Sequence, residues 1–356
     1  MGLIRFLLAL AVVSAHVEGN PLLGMTFFGG EGVSAVSCFF MISGFYMALV
    51  LNQKYQGNLS GFYRARFLRL YPLYLATLAI FFACQAASWL AGKPMGVFYN
   101  PQGVFYQPWE YAWVVISNLA FVGSDLVILH HYAAHSDLNG LILLPVIWSL
   151  AVEMTFYLMA PFVVRRPLKV LAALCLLAGL IRFLIAWQHD FAWTVWNYYF
   201  FPSALVFFFS GALMQRIGSQ PMGKRFFQSR GAGVFTWILL AAAVAWGSHW
   251  APLRDLGLLY LLMGLGLPAI FSLTKDWRWD RAVGELSYPL YLTHCGLLAI
   301  YPPFRHWVQE PYKIYFLTAA SLILSVGLLK LEPLLRRGFV RLAGKSRPIQ
   351  VGIKEI

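Results

Sequence analysis

Apolar runs of helical length follow one another along this chain almost without interruption. A helix that crosses a bilayer takes about 20 apolar residues, within a range of about 17–25. Ten stretches approach or meet that requirement: 3–18, 33–52, 71–91, 141–163, 168–187, 194–215, 232–250, 255–273, 286–304 and 314–334. An eleventh stretch, 111–130, is also apolar. Between the runs lie basic clusters, at 54–69, 165–169, 216–230, 275–281 and 336–347. Lys and Arg collect in cytoplasmic loops, so all five clusters are expected on one side. Counting back from the last cluster sets residues near 140 on the outer side. Counting forward from an inside N-terminus does the same for residues near 92. Segment 111–130 then dips in from outside instead of crossing, which is tolerated where protein or a watery cavity surrounds the backbone. The expected fold is all-α: a polytopic transmembrane helical bundle of ten spans with one outer re-entrant segment and both termini cytoplasmic. The membrane domain covers 1–335, and 336–356 is a cytoplasmic tail.

Composition agrees. Of 356 residues, 60% are hydrophobic and 12% charged, about half the charge of a soluble domain, and mean hydropathy is +0.66. Aromatic content is 17%, with 13 Trp and 29 Phe, as suits membrane–water interfaces. The net charge of +13 sits in short clusters such as Arg64-Ala-Arg66 and Arg336-Arg337, which speaks for lipid or anionic-cofactor contact and against nucleic acid. Four cysteines, Cys38, Cys84, Cys175 and Cys295, are far apart in apolar runs. They form no CxxC pair and read as core residues, not as a disulfide framework or metal site. Residues 1–15 also have the outline of a signal peptide, but cleavage would discard Arg5 and strand His16.

Ionisable groups inside spans are costly and mark function by default. Arg5 and His16 are eleven residues apart, three turns plus about 20°, so they share one helix face at roughly 16 Å separation. The structural alternative is an anchor and an interfacial cap. Arg66 and Arg69 are neighbours on a short helix ahead of Pro72, and two guanidiniums on one face suit a phosphate, whether of a cofactor or of a lipid headgroup. Ser149 and Glu153 share a face within a span, where a buried carboxylate needs a partner. A histidine is one candidate, a helix-packing hydrogen bond the alternative.

These residues stand in motifs that resemble the acyltransferase 3 family of membrane O-acyltransferases. Arg5 with His16 is similar to its Arg-ten-residues-His signature, and Phe39-Phe40-Met41-Ile42-Ser43-Gly44 to its Phe-Phe-x-x-Ser-Gly element. Arg66-x-x-Arg69 before Tyr71-Pro72, Trp148-Ser149-Leu150 to Glu153, and Gly284 to Tyr291-Leu292-Thr293-His294 complete five elements in the family's order. The resemblance implies transfer of an acyl group, most often acetyl, from cytoplasmic acyl-CoA to a hydroxyl of an extracytoplasmic polysaccharide or lipid-linked glycan, in a bacterial-type inner membrane. It implies His16 as general base with Glu153 orienting it, and Arg5, Arg66, Arg69 and Tyr71 around acetyl-CoA. Ser43, Ser149 and His294 would line the acceptor side. Acyl-CoA, the glycan and membrane lipids are the implied partners, and a thioester, being already activated, needs no metal. The competing class is a transporter or flippase for a lipid-linked sugar, which tends to carry inverted repeats; none is visible here.

The loop charges generate a direct test. A cysteine introduced at Gln53 or Lys169 should resist an impermeant thiol reagent applied outside intact cells, and one at Asn100 should react. Labelling at Lys169 would overturn the re-entrant reading of 111–130.

Overall fold

The computed structural model describes residues 1–17, 22–25, 32–99, 105–120, 122–134, 137–191, 194–227, 229–247, 257–300, 308 and 312–342. Among them the regular structure is helical: α1 (Gly2–His16), α2 (Val33–Gln53), α3 (Leu59–Leu90), α4 (Pro108–Ala120), α5 (Ser124–Ala134), α6 (Ile147–Val163), α7 (Leu168–Gln188), the single turn α8 (Val195–Tyr198), α9 (Phe201–Gly218), α10 (Pro221–Phe227), α11 (Arg230–Trp246), α12 (Leu258–Thr274), α13 (Arg278–Glu285), α14 (Ser287–Ile300) and α15 (Lys313–Leu342). The all-α class follows. Asn100, the ends of the stretches 232–250 and 286–304, the start of 255–273 and the tail beyond 342 lie outside the described residues.

Five segments are long and apolar enough to cross a membrane: Ser34–Gln53, Leu59–Leu90, Leu168–Gln188, Val195–Gly218 and Lys313–Arg341. The bent pair α10 and α11 makes a sixth if taken as one span, and α1, α6 and α12 are shorter apolar helices. Several boundaries differ from the sequence expectation. The arginine cluster is not a separate short helix, because α3 runs as 32 residues straight through Pro72. A proline removes one backbone donor, here the one that would serve the Leu68 carbonyl, yet the helix continues through it. The stretch 194–215 is interrupted at 199–200, with Pro202 starting α9. The last helix extends past Pro333 to Leu342, so the 335/336 boundary falls inside it. Segment 111–130 is two helices, α4 and α5, of 13 and 11 residues, each about 16–20 Å long and too short alone for a hydrocarbon core of about 30 Å.

Two arginines gather the basic loops onto one face of the bundle. Arg165 Nη2 donates to the carbonyls of Leu51 at 3.1 Å and Tyr55 at 2.7 Å, capping α2. Arg216 Nη1 donates to the Val164 carbonyl at 3.1 Å, at the end of α6. Cations at helix C-termini complete orphan carbonyls and oppose the helix dipole. Since α3 leaves this face and α6 returns to it, residues 91–146 begin and end on the opposite face. From that region α4 reaches back into the bundle: Tyr71 and Tyr74, in the first half of α3, donate to the carbonyls of Leu119 and Asn118, and Asn118 bonds the 141–143 backbone, tying α4 to α3.

Close packing rests on glycine pairs. A Cβ on Gly44 would meet the Phe208 carbonyl oxygen at 1.9 Å, and one on Gly211 that of Met41 at 1.9 Å; α2 and α9 therefore cross at backbone contact, as small residues permit in membrane bundles. In α2, 83% of the apolar window is buried, against 11% in α7. The outer face of α7 instead exposes Leu176, Leu180, Phe183 and Leu184, a stripe that requires an apolar surround. The first helix is anchored otherwise. No side chain of its own caps α1; the carboxylate of Asp280 accepts from the backbone N–H of Gly2 at 2.6 Å and Leu3 at 2.9 Å, and from the Met1 ammonium at 2.7 Å. The approach is possible because Gly284 faces Gly2, where a Cβ would sit 2.6 Å from the Gly2 Cα.

Burial pushes the Asp280 carboxyl up, but the Leu3 N–H, the Met1 ammonium and the Gly2 N–H outweigh it and hold it below its ordinary value. A depressed carboxylate stabilises the fold above its unfolded pKa, about 4, and loses that contribution as pH falls through the folded value. Asp280→Asn should lower thermal stability in detergent at neutral pH by about 1–3 kcal/mol for a lost charged cap, and the gap to wild type should close in acid below about pH 4. A gap independent of pH would refute the charge contribution.

Candidate active site

Five of the nine residues singled out in the sequence line one cavity. It is walled by α1, α2, α3, α6 and α14, encloses about 750 Å³ including its open mouth, and is lined by Arg5, Arg69, Ser43, Ser149 and Glu153 together with Phe39, Phe40 and Tyr291. Its chemistry is two guanidiniums, one carboxylate and a ring of hydroxyls, set in an otherwise apolar bundle.

Glu153 is held from two helices. Ser43 Oγ on α2 donates to its Oε1 at 2.6 Å, and the Tyr157 hydroxyl, one turn on in α6, donates to the same oxygen. Ser43 and Tyr157 oxygens lie 3.3 Å apart. Deeper along α6, Ser149 Oγ donates to the Val146 carbonyl at 3.0 Å and meets the Tyr291 hydroxyl at 2.7 Å. The Tyr291 hydroxyl lies 3.4 Å from the same Val146 carbonyl, so the two hydroxyls and that carbonyl form one cluster. Tyr288 Oη donates to the Leu70 carbonyl at 2.9 Å, which joins α14 to α3 at the cavity wall.

Glu153 does not bond His16. Its hydrogen bonds go to Ser43 and Tyr157, because the face of α1 opposite it carries Arg5, and His16 stands three turns further on, about 16 Å away. At that end His16 is exposed and its ring lies 5.1 Å from that of buried His294, at 63°. The Tyr291 ring, part of the cavity wall, is 5.9 Å from His294. One line of side chains thus runs from the arginine cavity through Tyr291 to the histidine pair.

The arginine pair also separates. Arg69 lines the cavity, whereas Arg66 is buried with its guanidinium 6.0 Å from the Phe62 ring centre; Arg5 takes the place beside Arg69 that Arg66 was expected to fill. Tyr71 lies outside the cavity, stacked on Phe67 at 4.5 Å and donating to the Leu119 carbonyl at 2.7 Å. Among residues the sequence reading passed over, Tyr157 is four beyond Glu153 and so on its face, a signal that was available. Tyr46 is another, visible only as Ser43 plus three. Cys84 is exposed and Cys38 buried, and all four cysteines are free.

Because Ser43 and Tyr157 share one carboxylate oxygen, Ser43→Ala and Tyr157→Phe should each destabilise the detergent-solubilised protein by about 1.5–3 kcal/mol, the usual worth of a hydrogen bond to a charged group. The double mutant should depart from additivity by at least about 0.5 kcal/mol. Additive losses would mean the two hydroxyls do not act on a common acceptor.

A family model described as "Acyltransferase domain" matches residues 1–330. "Protein 2 in picA locus" of Rhizobium radiobacter is 33% identical over 158 residues, which cover 42% of this chain and 74% of that protein. No solved structure matches.

Proposed function

The chain belongs to the acyltransferase family whose model spans residues 1–330, and from that membership we propose that this membrane protein transfers an acetyl group from cytoplasmic acyl-CoA to a hydroxyl of an extracytoplasmic glycan. The observation that carries the reading is the double polarity of α1: Arg5 opens into a cavity with Arg69 and Glu153, and three turns away His16 is exposed beside His294. A donor with phosphates at one end and a thioester at the other suits that division. The basic face of the bundle is cytoplasmic in this reading, by the distribution of Lys and Arg.

Arg5 and Arg69 bind the CoA phosphates, with Arg66 and the aromatic Tyr71 forming the shell behind them. Glu153 balances the guanidiniums while the cavity is empty of donor, and fixes Ser43 and Tyr157. The acyl arm runs along α1 past Ser149 and Tyr291. His16 Nε2 takes the proton of the acceptor hydroxyl, the oxygen attacks the thioester carbonyl, and the C–S bond breaks to release CoA, whose thiolate takes a proton as the ester forms. His294 backs the base and borders the acceptor.

Acetyl label supplied as acetyl-CoA inside sealed vesicles should appear on glycan outside. His16→Gln should reduce that transfer by about 10²–10⁴-fold, the usual worth of a general base, with acetyl-CoA binding unchanged. Arg69→Lys keeps the charge but loses the planar fork, so it should weaken acetyl-CoA binding by about tenfold, or about 1.4 kcal/mol, and Arg66→Lys by less. Activity of His16→Gln above about a tenth of wild type would remove His16 from the catalytic role. Wild-type vesicles that move no label would return the protein to the transporter class.

A further inference from the structure

At the far end of α1 the side chains of His16, His294 and Cys295 come together. His16 Nδ1 lies 2.9 Å from the Val12 carbonyl, and His294 Nδ1 lies 3.2 Å from the Leu290 carbonyl. A carbonyl only accepts, so in each ring Nδ1 carries the proton and Nε2 presents a lone pair. Cys295 Sγ is 3.3 Å from His294 Nε2, and one donor atom from each of the three residues lies within 4.8 Å of the other two. In the metal-free protein the Cys295 thiol can donate to His294 Nε2, and a cation that displaces that proton would meet all three donor atoms at once.

We propose that His16, His294 and Cys295 form a binding site for a divalent cation of the zinc type. Imidazole nitrogen and thiolate sulfur are the ligand set of zinc, at about 2.0–2.1 and 2.3 Å, whereas magnesium and calcium take oxygen. Tetrahedral geometry then asks for donor separations of roughly 3.4–3.8 Å, which this cluster reaches by small side-chain adjustments. Both imidazoles donate their second nitrogen to a backbone carbonyl, the outer-shell support that metal-ligating histidines use. His294 and Cys295 are buried and His16 is exposed, so the ion has an entry path, and three protein ligands leave a fourth position for water. On binding, the Zn–S bond forms as the Cys295 thiol releases its proton to solvent; both histidines coordinate through existing lone pairs and release none. The functional consequence rests on the acyltransferase reading above: zinc occupies the same His16 Nε2 lone pair that takes the acceptor proton, so the metal-filled protein is switched off.

The test uses the full chain in detergent, stripped with chelator and titrated with zinc sulfate. Metal content after dialysis should reach one ion per chain, and titration in buffers of different ionisation heat should report about one proton released per ion. Cobalt should give a thiolate-to-metal absorption band that Cys295→Ser abolishes. Cys295→Ser should retain acetyl transfer in zinc-free buffer while the zinc concentration for half-inhibition rises at least about tenfold, as for loss of one ligand. His294→Ala should lose binding as well. Zinc uptake below stoichiometry, or unaffected by both substitutions, overturns the site. One zinc per chain with undiminished wild-type transfer overturns the inhibitory role. Zinc-free protein without any transfer overturns the acyltransferase reading instead, and the metal-content and cobalt measurements still decide the site.

Discussion

An ionised carboxylate inside an apolar bundle has to be hydrogen-bonded or counterbalanced, and the arrangement around Glu153 is organised by that requirement. Ser43 and Tyr157 converge on a single oxygen, and Arg5 and Arg69 share the cavity. Those five residues come from α1, α2, α3 and α6, so one cavity gathers polar side chains from four helices, and the Ser43–Glu153 bond ties α2 to α6. Removing one partner leaves the others exposed to the full cost of a low-dielectric surround. The same group of side chains therefore serves both as internal scaffold and as the lining of the cavity.

The remaining motif residues divide between chemistry and geometry. Gly44 follows Ser43 because the backbone of α9 passes where a side chain would be; the serine faces the cavity only if α2 lies that close to α9. Gly284 allows α13 to reach the start of α1, where Asp280 caps the helix that carries Arg5 and His16. Trp148 is packed edge-on against Tyr198 and Tyr199, 4.6 and 4.7 Å away, which braces the break before α9 and the end of α6 that holds Ser149.

Apolar run length made the helical class and the existence of most helices readable from the amino-acid order; the division of 111–130 into two helices was not readable from it. Helix ends were less readable, because a proline inside a membrane helix, as at Pro72 or Pro333, is sustained by neighbours that a one-dimensional pattern does not contain. The cavity was partly legible: i, i+4 spacing gives Glu153 with Tyr157 and Ser149, and the eleven-residue interval gives the shared face of Arg5 and His16. Which of these meet depends on depth. Arg5 and His16 share a face but lie about 16 Å apart, so only one can stand beside Glu153. The meeting of His16 with His294 and Cys295 joins residues 278 and 279 positions apart, and no spacing rule bears on it.

The shortness of α1 has an effect on the membrane itself. Fifteen residues span about 22 Å, against a hydrocarbon thickness of about 30 Å. Its first turn is fastened at the basic face by Asp280, so its last residue stops short of the opposite lipid headgroups. Two of the helices packed against it are no taller, α13 with 8 residues and α14 with 14, so the exposed His16 ring stands at the end of a group of short helices. With its N-terminus at one membrane surface, a helix of this length narrows the insulating layer between the two aqueous compartments by about 8 Å. Under the proposed acyl transfer, the distance between donor and acceptor compartments beside this helix is set by fifteen residues of protein.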